Sequence, residues 1–134
     1  MGEFNMINNV INQIDAIAQK TGDLIAYDEL GRTHTYAQLK SASDSLAAYI
    51  DSLNLPTGAP IMVYGGQQFE MLASFLGSVK SGHAYIPVDK SSADERLTDI
   101  LEIGKPALVI AVDMLPITIT SVPVIDPKEL SHIF

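Results

Sequence analysis

The apolar positions along the chain change period several times, and each change marks an element. Ile7, Val10, Ile11, Ile14 and Ala18 recur at helical spacing, which predicts an amphipathic first helix ended by Thr21-Gly22-Asp23. Asp23–Asp28 and Arg32–Thr35 then read as two short strands around a turn at Leu30-Gly31. Tyr36, Leu39, Ser43, Leu46, Ile50 and Leu53 form one stripe of a long helix, stopped by Asn54 and Pro56. At its start Thr35 caps the helix and Gln38 reaches back, a complete capping box.

From Pro60 the pattern becomes denser. Ile61-Met62-Val63-Tyr64 is a continuous apolar run, as in a strand covered on both faces. Gly65-Gly66 opens a loop, and Phe69 to Val79 is helical and apolar nearly all round, its Met and Phe side chains reading as core. Ser81-Gly82 ends that helix, because glycine tolerates the left-handed conformation of helix ends. Ala84–Val88 is the next strand. Ser92 and Glu95 predict a capping box for a helix with Leu97, Ile100 and Leu101 inward, stopped by Gly104 and Pro106. Ala107–Val112 is another apolar strand, and the Pro-rich tail beyond Asp113 has room for one more around Val122–Ile125. Strands alternating with helices predict an α/β fold: a parallel β-α-β-α-β unit preceded by a helix, a short hairpin and a long helix.

Composition narrows the function classes. The 134 residues suit one domain, and 47% apolar against 18% charged residues is the balance of a folded chain. The net charge of −8 disfavours nucleic acid as a partner, which wants clustered Lys and Arg. The chain has no Cys, hence no disulfide framework and no thiolate chemistry, in keeping with a cytoplasmic location. No apolar run approaches the roughly 18 residues of a membrane span, and no basic-then-apolar leader is present, so membrane insertion is not expected. Met1-Gly2-Glu3-Phe4-Asn5 precede a second start at Met6 and read as an expression scar, leaving residues 6–134 for the fold.

Candidate chemistry is sparse. Gly65-Gly66 follows a buried strand, where α/β folds can hold a phosphate. The third glycine and spaced acid of a dinucleotide site are missing, as is the Gly-Lys-Ser/Thr of an NTPase, so a tight turn is expected. Asp28, Asp89, Asp113 and Asp126 follow strand ends. Without the acidic pair and late Lys of a phosphoacceptor domain, Asp89 reads as a turn or cap residue. His34, His83 and His132 lie at no metal-ligand spacing and beside no nucleophile, so structural or solvated roles are expected. The residues themselves therefore predict no catalytic, cofactor-binding or metal-binding position.

Two motifs in order carry a family resemblance. His34 to Leu39 (HTYAQL) resembles the first core motif of adenylate-forming enzymes, the superfamily of acyl-CoA synthetases, luciferases and peptide-synthetase adenylation domains. Val79 to Leu97 (VKSGHAYIPVDKSSADERL) resembles the second, and the spacing between them is also similar. Pro60 to Gly65, Glu70 to Ser91 and the lack of a Pro after Asp89 resemble the D-alanine-activating branch. The resemblance covers Ile7 to Phe134 and implies the N-terminal part of a large adenylation domain, about its first quarter. It implies a parent that uses ATP and Mg²⁺ to activate D-alanine and loads it on a D-alanyl carrier protein for teichoic acid D-alanylation. In that family the phosphate-gripping loop, acyl pocket, ribose-binding Asp and catalytic Lys come after the region matched here. No cofactor is thus expected on the 134 residues themselves, which should be inactive and liable to self-associate through an unpaired sheet edge. A peptide-synthetase adenylation domain, an acyl-CoA synthetase and a stand-alone α/β binding module remain the alternatives.

Overall fold

The computed structural model describes residues 2–21, 23–29 and 31–134. Helix α1 (Gly2–Thr21) is followed by strands β1 (Ile25–Glu29) and β2 (Arg32–Thr35) and helix α2 (Tyr36–Ser52). Then come β3 (Ile61–Gly65), α3 (Phe69–Lys80), β4 (Tyr85–Asp89), α4 (Asp94–Gly104), β5 (Leu108–Ala111), β6 (Val124–Ile125) and α5 (Pro127–Ile133). The first helix extends back through residues 2–5, which the sequence reading had set aside. Gly22 and Leu30, assigned to its stop and to the hairpin turn, lie outside the described residues.

β1 and β2 form a separate antiparallel hairpin, while β3 to β6 make a parallel sheet in the order β4-β3-β5-β6. The crossovers β3-α3-β4 and β4-α4-β5 run in opposite directions across that order. Crossovers of one hand then place their helices on opposite faces. Ile61 and Val63 accordingly pack with Leu46, Ile50 and Met71 on the α2/α3 side. Met62 and Tyr64 pack with Leu97 on the α4 side. The alternation follows from the two-residue period of a strand, and it explains why β3 is apolar throughout.

The helix ends combine agreement and correction. The Thr35–Gln38 capping box is present in full. After α3, Gly82 N–H donates to Val79 O and His83 N–H to Ser78 O, with Gly82 at φ +86°, a Schellman ending. The expected Ser92–Glu95 box does not form: Ala93 is the N-cap of α4 and makes no side-chain bond. Ser92 N–H instead donates to Asp89 O across the turn that leaves β4, which moves the helix start one residue along. Helix α5 lay unrecognised in the Pro-rich tail. Asp126 caps it by accepting from Glu129 N–H, and Pro127 occupies the first turn.

Both edges of the parallel sheet are blunted. Ala84 O accepts from Ile61 N–H and Lys90 N–H donates to Gly65 O, so even-numbered β4 residues face β3 and Tyr85, Pro87 and Asp89 face outward. Pro87 thus sits where its missing N–H costs nothing to the ladder and removes the central donor of the open edge. At the other edge β6 has only two residues.

Candidate functional site

Ligands of open α/β sheets bind outside the carboxyl ends of the strands. There β3 ends at Gly65, β4 at Asp89 and β5 just before Val112-Asp113. An open cavity of about 500 Å³ lies at this edge, with Gly65, Gly66, Gln68, Asp89, Ser92 and Arg96 contributing its polar side.

Gly65 has a firm packing reason to be glycine, and Gly66 a weaker one because its neighbour is the flexible end of Lys90. A Cβ on Gly65 would lie 2.9 Å from Val112 Cβ and 3.0 Å from Met71 Sδ, so any larger residue would force β3 and β5 apart. A Cβ on Gly66 would lie 3.0 Å from Lys90 Cε. Gln68 then closes the loop: its Oε1 accepts from Gly66 N–H at 3.0 Å, and its Nε2 donates to Asp113 Oδ1 at 3.3 Å. The Gly66 N–H that a phosphate would want is already bonded. The sequence reading missed Gln68, which stands between the glycines and the apolar helix at the N-cap position.

The carboxylates divide. Asp89 Oδ1 accepts from Ser91 N–H at 2.8 Å and from the Ser91 hydroxyl at 2.7 Å, and these bonds hold its carboxyl below the usual range. Asp28 accepts from Gly31 N–H in the hairpin turn, and Asp126 caps α5. All three serve turns or caps. Asp113 departs from that pattern, because its Oδ2 is buried without a hydrogen-bond partner. Nearby, Tyr64 donates its hydroxyl to Lys90 O at 3.3 Å. Burial raises the Tyr64 phenol, and the carboxylates of Asp113, Asp94 and Asp89 raise it further. Among the described residues no group of three or more His, Asp or Glu side chains could hold a metal ion.

The histidines stay apart. His34 stacks on Phe69 with ring centroids 3.9 Å apart and planes within 6°, its Nε2 buried and unpartnered. This joins the hairpin to α3, as does the 2.5 Å pair between Arg32 and Glu70. His83 is buried, with Nδ1 2.8 Å from Ala59 O, bracing the entry to β4. His132 lies in the last turn of α5. Among the described residues no hydrogen bond joins any of the three to Asp89, Gly66 or another His.

Among the described residues no helix is long and apolar enough to cross a membrane. The chain is 56% identical over 129 residues to the D-alanine--D-alanyl carrier protein ligase of Lactiplantibacillus plantarum, covering 96% of this chain and 25% of that protein. Identity to the ligase of the same name from Streptococcus agalactiae is 47% over 129 residues, with the same coverage. The chain thus spans about a quarter of the length of these curated relatives. Among solved structures, an artificially fused adenylation-PCP di-domain, NpsA-ThdA from Klebsiella oxytoca, matches with TM-score 0.80 at 22% identity, over 92% of this chain and 23% of that one. The N-terminal subdomain of Klebsiella oxytoca NpsA, in complex with 3-hydroxyanthranilyl-AMSN, matches with TM-score 0.76 at 23% identity, over 92% of this chain and 30% of that one. These likenesses establish the fold as that of N-terminal adenylation subdomains. A family model described as AMP-binding enzyme matches residues 14–132, and the chain belongs to that family.

Proposed function

We propose that the chain is the N-terminal part of an ATP-dependent ligase that activates D-alanine and loads it on D-alanyl carrier protein. The observation that carries this is the 56% identity to a ligase of that name across 96% of the chain. In the first step the D-alanine carboxylate attacks the α-phosphorus of Mg²⁺-bound ATP and pyrophosphate leaves. In the second, the phosphopantetheine thiol of the carrier attacks the acyl carbon and AMP leaves. The product would serve teichoic acid D-alanylation at the cell wall, with the enzyme on the cytoplasmic side where ATP is supplied.

In this reading residues 6–134 form the opening part of the large adenylation domain and residues 1–5 an expression scar. The segment carries no catalytic, cofactor-binding or metal-binding residue and is inactive alone. Adenylation requires cations around the triphosphate and a carboxylate held in line. The segment instead has net charge −8, a Gly-Gly loop closed by Gln68, and the carboxyl-edge Asp89 engaged in the turn after β4. Its role is to build the sheet on which the rest of the domain folds. Self-association of the isolated chain belongs to the same reading, and a concentration-independent monomer in sizing chromatography would count against it.

The test is ATP–pyrophosphate exchange. A longer polypeptide carrying this segment should exchange with D-alanine and transfer it to a carrier protein, whereas the 134 residues should not exchange at all. Preference for an L-amino acid would favour a peptide synthetase, and transfer to coenzyme A an acyl-CoA synthetase. Exchange by the isolated 134 residues would overturn the view that they are inactive.

A further inference from the structure

The crossover from β5 to β6 is made without a helix. Parallel neighbours are usually joined by one, whose backbone bonds to itself while its inner stripe covers the sheet. Here an irregular run from Asp113 to Pro123 takes that place on the α4 side. Leu115, Ile117 and Ile119 are half-buried, and Pro116, Thr118 and Thr120 beside them are exposed. The three apolar side chains and Val122 pack on the cluster that holds Tyr64, Val88, Leu97 and Val109. Yet among the described residues no hydrogen bond within the chain reaches Met114 to Val122. No charged residue lies between Asp113 and Asp126, so no ion pair pins the run either. Both ends, by contrast, are fastened. Gln68 Nε2 donates to Asp113 Oδ1 at 3.3 Å, and Pro123 O accepts from Val109 N–H at 3.0 Å just before β6.

We infer that Met114–Val122 is a strap, hinged at Asp113 and Pro123, that lifts off the α4 side while the rest of the fold stays intact. Its hold consists of four half-buried side chains: Leu115, Ile117, Ile119 and Val122. Lifting breaks no hydrogen bond within the chain, because the strap makes none, and so costs only the burial of those side chains. The neighbouring cover of the same cluster is held far more firmly. Helix α4 bonds its own backbone and sinks Leu97 to full burial, so it does not lift with the strap. In the lifted form Tyr64, Val88 and Val109 lose their cover. The strap then offers free backbone N–H and C=O groups, the form in which a peptide-binding cleft takes an extended chain. The cleft of a protease therefore serves as the probe.

Subtilisin digestion of the 134-residue chain tests this, at protease concentrations low enough that cutting tracks the population of the open form. Initial rates are read by mass spectrometry of the fragments. Cuts within residues 114–122 should speed up with urea less than about half as steeply as cuts within α2 or β3, because lifting the strap exposes far less surface than unfolding. Thr35→Ala removes the cap of α2. It should raise cutting in α2 and β3 by about fivefold and leave the strap rate unchanged, since closed and lifted forms lose that cap equally. Ile117→Ala weakens the hold itself and should raise strap cutting by about fivefold. Equal urea slopes at strap and core would overturn the inference, as would a Thr35→Ala chain whose strap is cut faster by the same factor as its core. Either result would mean that the segment opens only with the whole fold. An Ile117→Ala chain cut no faster in the strap would overturn it as well, because side-chain burial would then not be what holds the strap down.

Discussion

Lys80 Nζ lies 2.8 Å from Asp44 Oδ1 and thereby ties the end of α3 to the middle of α2. The same ammonium reaches Asp15 Oδ1 on α1 at 3.0 Å and Ser43 Oγ at 2.9 Å, so one cation holds three helices. Its side chain is only 10% exposed, while the two carboxylates keep 28% and 45% of their surface in water. The ammonium has surrendered most of its hydration and relies on these partners. The carboxylates have given up less of theirs.

Replacing Lys80 by Met should therefore destabilise the chain by about 1–3 kcal/mol, below the cost of breaking a fully buried pair. Urea unfolding gives the number. Asp44→Asn combined with Lys80→Met should cost less than the sum of the two single changes, because they remove the same interaction. Strict additivity would mean that the pair is not coupled.

The same cluster predicts acid sensitivity. Burial pulls the Asp44 carboxyl up, but hydrogen bonds from Lys40 and Lys80 outweigh it and hold the group below its ordinary value. A carboxyl depressed in the folded state contributes stability that is present above its unfolded pKa, about 3.9, and is lost as pH falls through the folded value. Stability should thus decline as pH drops below about 4, and less steeply in Asp44→Asn. Identical acid limbs in the two proteins would show that Asp44 contributes nothing there.

Two glycines near the same helix should fail for different reasons. A Cβ on Gly77 would lie 2.8 Å from Leu46 Cδ2 and 3.0 Å from Leu46 Cβ and Cγ, at the closest approach of α2 and α3. Because Leu46 Cβ is involved, rotating the leucine does not clear the clash. Gly77→Ala should cost about 1–3 kcal/mol of overpacking, only partly offset by alanine's better helix propensity. Gly82 has nothing within 4 Å of its would-be Cβ but sits at φ +86°. Gly82→Ala should cost about 1 kcal/mol of backbone strain alone. Adding Leu46→Ala removes the Cγ and Cδ2 contacts but keeps Cβ, so it should relieve the Gly77 variant in part and leave the Gly82 variant unrelieved, which a double-mutant cycle reads directly.

The helix starts make a matched pair. Thr35 accepts from Gln38 N–H while Thr35 N–H donates to Gln38 Oε1, so Thr35→Ala should lose about 1 kcal/mol. Ala93 occupies the corresponding place on α4 with extended backbone angles and no side-chain bond. Ala93→Ser should stabilise by about 0.5–1 kcal/mol, visible as a higher thermal midpoint. A Ser that gains nothing there would mean that the first-turn donors of α4 already have solvent partners of equal worth.

The alternation of Ile61, Met62, Val63 and Tyr64, the Thr35–Gln38 box and the Gly82 stop were legible because each depends on residues a few positions apart. The two family motifs were legible for the same reason, and they led to the AMP-binding family. Local signals failed where a neighbouring turn competed for the same group. Ser92 reads as a cap until its N–H is seen bonded to Asp89 O. The Asp126-Pro127 start of α5 was hidden among prolines that read as loop.

What no local pattern could supply is who meets whom across the fold. Glycine at 65 and 77 is required by Val112 and Leu46, 47 and 31 residues away in the chain. Gln68 matters because Asp113 arrives beside it, and Lys80 because three helices converge on one ammonium. The sequence by itself determined the elements other than α5, their order and the family, through short-range backbone preference and apolar period. The tertiary structure alone decided which glycines, amides and charges are constrained. Those outcomes depend on distances between residues that the chain brings together only by folding.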